Sequence, residues 1–279
     1  MAHRKYCYLI IGLFSFACVE EVELPAKNFV VEAFLYAGEP VNQITVKEIV
    51  PLESTETGGI LITDAEVTIS KNNLVYPLIF DNTISKYTYQ GGDLEINSGD
   101  MVELTVVKGT RVAKAETIVP GTTTGLSISG NKMVIPPITV RLGIAQELQN
   151  LFNTARLAIT WSNPDDDLHF VVIENVVEED LIFPSDFPIP EATLNLIQSF
   201  RYISAPTTNT RFEIPGLSLE TYGKYKATVY RVNKEYADLY NNQVQDSRDL
   251  NPPPSNVRNA LGIFSAFAGD SVLFEVGKY

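Results

Sequence analysis

The sequence has 279 residues, 45% of them hydrophobic, and a formal charge of −13 from 34 acidic and 21 basic side chains. That balance argues against nucleic acid, whose phosphates need clustered Lys and Arg, and against wide contact with anionic lipid headgroups. No phosphate loop or dinucleotide fingerprint occurs.

Arg4 and Lys5 precede an apolar run, LIIGLFSFA (9–17), that is too short to span a bilayer. Small residues, Ser15 and Ala17, lie just before Cys18. This layout predicts a lipoprotein signal peptide over 1–17, with Cys18 acylated as the mature N-terminus. Ser15 stands where leucine is more usual, and ordinary secretion with Cys18 free or buried is the alternative. With Cys18 acylated no thiol remains, which excludes a disulfide framework, a zinc–cysteine site and a cysteine nucleophile. VEEVE (19–23) opens an acidic tether over 18–27. It reads as a solvated spacer, or as a sorting signal, since the acidic pair resembles the surface-export signal of Bacteroidota lipoproteins. The remaining chain is long enough for one large or two ordinary domains, and no later run is long and uncharged enough for a transmembrane helix.

From residue 28 the pattern is one of short strands. NFVVEAFLYAG (28–38) is β-branched and aromatic and ends in a turn at Gly38. NQITVKEIV (42–50) alternates, with Ile44 and Val46 inward and Ile49 a third candidate. STETGG (54–59) is a polar loop. AEVTISKNNLVYPLIF (65–80) predicts a hairpin that turns at Asn72-Asn73, with Val67 and Ile69 alternating. SKYTYQGG (85–92) is a further short strand, and 96–119 is a second hairpin with Lys108-Gly109 near its turn. This spacing predicts a first β-sandwich over 28–119. PGTTTGLSISGN (120–131) reads as a linker, or simply as a long loop.

The second sandwich is expected over 132–279. It begins with KMVIPPITVRLGI (132–144). Two strands follow within 155–180 around an Asn163-Pro164-Asp165 turn. Residues 182–195 are proline-punctuated and irregular. Strands are expected again at 199–206, 210–216 and 221–233. The period then changes: Tyr236, Leu239, Tyr240 and Val244 share one helical face. That predicts one helix at about 234–247, capped by Asn233. NPPPSNV (251–257) should run extended, and 260–276 should close the chain as a hairpin turned at Gly269-Asp270.

Few residues carry a chemical signal. His169, the lone imidazole after the signal region, has no Gly-x-Ser-x-Gly elbow to serve and reads as an ordinary strand-start residue. Asp165, Asp166 and Asp167 offer oxygens for calcium, but adjacent residues lack the spaced ligand pattern, so a solvated turn is the better reading. Glu178, Glu179 and Asp180 are equally ambiguous. A carboxylate pair for hydrolysis is set in space, and with 34 acids chance pairs abound. Trp161 sits in an alternating strand, as core rather than a sugar platform. Phe183, Phe187 and Ile189, with Pro184, Pro188 and Pro190, form an apolar irregular segment. It is either a partner contact or a loop that covers the end of the sandwich.

In order, the signal, NFVVEAFLYAGEP, AEVTISKNNLVYPL and KEYADLYNNQVQDSRDLNPPPSNVRNALGIFSAF resemble a Bacteroidota outer-membrane lipoprotein family defined only as a domain of unknown function. The resemblance covers nearly the whole chain after the signal. Its most specific part is the tyrosine helix, the proline run, and Ser255-Asn256-Val257 leading to Gly262 and Phe264. Asn259-Ala260-Leu261 departs from the more glycine-rich family pattern, which leaves the turn before the last hairpin open. Members are typically encoded beside TonB-dependent transporters. The resemblance therefore implies a membrane address through the lipid on Cys18 and a transporter as partner. It implies no catalytic residue, metal or cofactor. The expectation is an all-β chain of two tandem immunoglobulin-like sandwiches that binds rather than catalyses. Stand-alone adhesion is the runner-up and a carboxylate hydrolase the third reading.

Overall fold

The computed structural model describes residues 29–49, 59–136, 145–182, 201–216, 219–242 and 255–278. Within them the chain is all-β, two sandwiches of immunoglobulin-like build in tandem, and the alternation seen in sequence is the reason. In β1 (Phe29–Tyr36) every second side chain is buried, and in β2 (Gln43–Glu48) Ile44 and Val46 point inward. Ile49 lies beyond the strand and is exposed, which settles its orientation outward. β3 (Glu66–Lys71) and β4 (Leu74–Asp81) form the expected hairpin, with Asn72 and Asn73 at φ 52° and 64°. Two successive positive φ values match the right-handed strand twist, and asparagine tolerates them. β5 (Lys86–Thr88) follows, then the hairpin of β6 (Met101–Lys108) and β7 (Arg111–Ile118).

β4 carries the ladder from one sheet to the other. Leu74–Leu78 pair with β3, and Ile79–Asp81 pair with β5. The first core thus lies between β1, β2 and β5 on one side and β3, β6 and β7 on the other. It also draws Val257, Ala260, Phe264, Ala266 and Ala268 from near the chain's end.

The stretch read as a linker is partly strand. Thr124–Ile128 form β8, because Ile159 and Thr160 of β10 (Arg156–Ser162) offer it a ladder across the second sandwich. β9 (Lys132–Val134) is next, then a helix with no counterpart in the sequence reading, α1 (Ala145–Thr154). Its sequence, AQELQNLFNT, is rich in strong helix formers. β10 and β11 (His169–Leu181) are neighbours in sequence but lie in opposite sheets. Asn163 turns the corner between them. Its Oδ1 accepts from the Asp167 N–H (3.0 Å), and its Nδ2 donates to the carbonyls of Asp167 (2.9 Å) and Thr208 (3.1 Å). β12 (Arg201–Ile203), β13 (Arg211–Pro215) and β14 (Thr221–Val232) complete the expected set, followed by α2 (Lys234–Asn242). The rest of the expected helix, 243–247, lies outside the described residues.

The last element overturns a prediction. Residues 260–276 do not form a hairpin; Leu261–Gly277 are one strand, β15. Gly269 and Asp270 stay extended because β14 holds them in register with Tyr230 and Val229. A Cβ at Gly269 would meet the Val229 carbonyl oxygen at 2.6 Å and the Tyr230 ring at 2.9 Å, so glycine here serves close approach rather than a turn. The first half of β15 runs parallel to β1, from Val30↔Leu261 to Tyr36↔Phe267. The second half runs antiparallel to β14, from Val232↔Phe267 to Gly223↔Val276. One strand therefore belongs to both sandwiches. Its second half, with β11, β14 and β9, covers a core faced by the three-stranded sheet β13-β10-β8.

Candidate functional site

The junction of the two sandwiches is the most elaborated part of the molecule. Where β15 changes partner, the outward face of the shared sheet carries Phe34 and Tyr36 from β1, Phe267 from β15, Phe170 from β11 and Tyr230 from β14. Tyr236 of α2 packs on them, with ring centroids 5.0 Å from Phe267 and 6.0 Å from Phe34 and Phe170. Tyr236 and Phe170 both meet Phe267 edge-on, and Tyr36 meets Tyr230 so, an arrangement aromatic quadrupoles favour. Of the helical face read from the sequence, Tyr236 is thus a packing residue and closes the junction.

Polar pins surround this hub. The Tyr230 hydroxyl donates to Glu39 Oε1 at 3.1 Å, across the two sandwiches. Burial, reinforced by the Glu39 carboxylate, pushes that phenol well above its ordinary value. Asn233 does not cap α2 with its side chain, as expected from the sequence. Its Nδ2 donates to Thr117 Oγ1 of β7 (2.7 Å), and its Oδ1 accepts from Ser265 Oγ of β15 (2.5 Å). The local helix-start position was legible; two partners more than thirty residues away were not. Asn256 acts in the same manner on β15. Its Oδ1 accepts from the Phe264 N–H (2.9 Å) and its Nδ2 donates to the Phe264 carbonyl (2.7 Å). The amide stands in for a neighbouring strand where β14 has ended. The Asn256–Gly262 stretch, expected to set a hairpin turn, instead launches β15. Asn259 turns at φ 60°. Gly262, at φ 117°, lies so close to β1 that a Cβ would sit 1.9 Å from the Val31 carbonyl oxygen.

A groove of about 410 Å³ opens beside these pins, lined by Met101, Glu116, Thr117 and Ile118 of the first sandwich and by Asn233 and Glu235 of the second. A smaller hollow of about 110 Å³ continues it along α2, lined by Glu235, Asp238, Ser255, Asn256 and Ile263. Sequence reading missed these residues because Met101, Glu116 and Ile118 look like ordinary outward positions of an alternating strand. Only the register that sets Met101 opposite Ile118 makes them a pair.

Of the residues singled out from the sequence, His169, Trp161 and Asp165 to Asp167 lie away from the lining residues of this groove. Cys18, Phe183, Phe187 and Ile189 lie outside the described residues. His169 begins β11, 2% exposed, with Nδ1 3.0 Å from the Asp167 carbonyl and its ring 5.8 Å from that of Trp161. Burial pushes the imidazole below its ordinary value. Trp161 is a core residue, as expected. Asp165 and Asp167 both face Arg231, and Asp166 turns the chain at φ 55°. Among the described residues no group of three or more His, Cys, Asp or Glu is placed to hold a metal. Asp180 pairs with Lys278 at 2.5 Å. The carboxyls of Glu48, Asp64, Asp180 and Glu213 are each held below their ordinary values, chiefly by hydrogen bonds from Arg111, Lys108, Lys278, and Arg211 with Arg156 respectively. A general acid needs the opposite shift.

No protein-family model and no curated protein matches the sequence. Among solved structures, the chain is similar to a two-domain fibronectin type III segment of chicken tenascin, at 10% identity over 89% of this chain and 98% of that one, with a TM-score of 0.25. Domains A168–A170 of titin align at 12% identity over 73% of this chain and 56% of theirs, with a TM-score of 0.22. A structure from a 1.5-MDa bacterial ice-binding adhesin aligns at 11% identity over 90% of this chain and 64% of that one, also with a TM-score of 0.22.

Proposed function

We propose that this chain is a non-catalytic, lipid-anchored protein of the outer membrane, exposed at the cell surface, that assists a TonB-dependent transporter in nutrient uptake. The leader before Cys18 and the acidic residues after it support the address. The family resemblance supports the transporter as neighbour. The observation that carries the binding role is the shared strand β15. It fixes the two sandwiches with respect to one another, so surfaces contributed by both are held in one geometry. A rigid platform suits positioning and recognition, because little conformational entropy is lost when a partner docks. Tethering by acyl chains on Cys18 would raise the local concentration of that platform beside a pore without any further contact.

The test is a gentle-detergent pull-down of the tagged protein from native outer membrane, followed by mass spectrometry. A transporter in near-equal amount is the expected result. A lipoprotein recovered alone overturns the transporter role and makes stand-alone adhesion the reading to pursue.

A further inference from the structure

We propose that the groove between the sandwiches is a docking site for a polypeptide segment that presents a lysine or arginine beside an apolar side chain. This rests on the binding role above and names the surface and the chemistry. The rim is apolar and open: Met101 and Ile118, paired across β6 and β7, are 62% and 57% exposed. The walls are acidic. Glu116 stands on one side, Glu235 lines both hollows, and Asp238 lines the further one. Among the described residues, Arg258 pairs loosely with Glu116 at 3.7 Å and is itself 74% exposed, so a competing cation displaces it from Glu116 with little resistance. An aliphatic stem laid over Met101 and Ile118 would place its charged head between carboxylates, which is how long cations satisfy both ends. Aspartate and glutamate segments are disfavoured by the same walls and by the net charge of −13.

The groove is preformed. Asn233, at the end of β14 in the second sandwich, is part of its lining and is also bonded to Thr117 of β7 and to Ser265 in the half of β15 that pairs with β1, so it ties the second sandwich to the first. Its volume of about 410 Å³ falls within the ~300–1,000 Å³ of typical ligand sites. Its open rim and its continuation along α2 suit an extended segment rather than an enclosed small molecule.

The experiment uses the full-length protein in native membranes. A photo-activated benzophenone residue replaces Met101 or Ile118, and Leu74, 59% exposed on β4, serves as the control position. The pull-down is repeated in parallel with Glu116→Lys/Glu235→Lys, after thermal melting has shown that this variant folds. The expected result is a cross-link from the two groove positions but not from Leu74, to a segment carrying Lys or Arg next to an apolar residue. Charge reversal should lower recovery of that partner at least tenfold. The groove proposal is overturned if the wild-type protein brings down a partner whose yield the reversal leaves unchanged, or if the cross-linked segment carries no cation. Wild-type protein recovered alone and without cross-links overturns both this proposal and the transporter role.

Discussion

Replacing Gly262 with alanine tests whether β15 joins the sandwiches as described. The backbone there sits at φ 117°, where a side chain costs about 1–3 kcal/mol. The new Cβ would lie 1.9 Å from the Val31 carbonyl oxygen, against an ordinary contact that begins near 3.4 Å. β1 and β15 must therefore separate locally by about 1.5 Å, which stretches ladder bonds worth about 1 kcal/mol each. With two or three bonds weakened, the total is about 4 kcal/mol, or a fall in melting temperature of about 8–16 °C for a chain of this size. Trp161 is the sole tryptophan and is buried in the second sandwich, so its emission reports that sandwich while far-ultraviolet circular dichroism reports both. Both signals should shift together, because β15 serves both cores. Gly92→Ala is the control: nothing lies within 4 Å of its Cβ position. A Gly262→Ala protein that melts within about 2 °C of the wild type would refute the close approach. A fall seen by circular dichroism alone, with Trp161 emission unmoved, would refute the coupling of the two bodies.

Asn233→Ala leaves Thr117 and Ser265, 2% and 0% exposed, without their shared partner. The expected loss is about 2–4 kcal/mol in urea unfolding, whereas loss of a surface helix cap alone would cost about 1 kcal/mol. Burial disfavours the charged imidazole of His169, so its folded pKa lies below the unfolded value of 6.5. The unfolded chain then binds the extra proton, and stability is fully present above about pH 6.5 and falls as the pH drops through the window beneath it. His169→Gln should flatten the slope of urea-unfolding free energy between about pH 5 and 7, and an unchanged slope would count against burial as the cause. Asn256→Ala removes both bonds to the Phe264 backbone and should lower stability by about 2–3 kcal/mol in the same assay. A loss under about 0.5 kcal/mol would mean that water replaces the amide.

Strand existence was legible because period-2 burial is written locally: Val31, Ala33 and Leu35, or Val102, Leu104 and Val106, announce an inward face without reference to any partner. The Asn72-Asn73 turn was legible for the same reason. What escaped was everything decided by a distant neighbour. Gly269-Asp270 has the composition of a turn, yet β14 on one edge keeps it extended. Thr124–Ile128 has the composition of a linker, yet Ile159 and Thr160 give it a ladder. Asn233 occupies a capping position, but its amide answers to β7 and β15 instead. The groove was invisible in sequence because its walls come from β6, β7 and α2 and meet only once β15 has brought the sandwiches together.

The placement of β15 also orders events in time. β1 pairs early with β2, a partner only a few residues ahead, but its other edge stays bare until Leu261–Phe267 arrive from the far end of the chain. Phe264, Ala266 and Ala268 must travel with them to finish the first core. Contacts of such sequence separation carry a large loop-closure cost and form late. As the chain is made, its first sandwich therefore remains an unfinished, easily unravelled body until β15 arrives, and both halves are completed by that same strand.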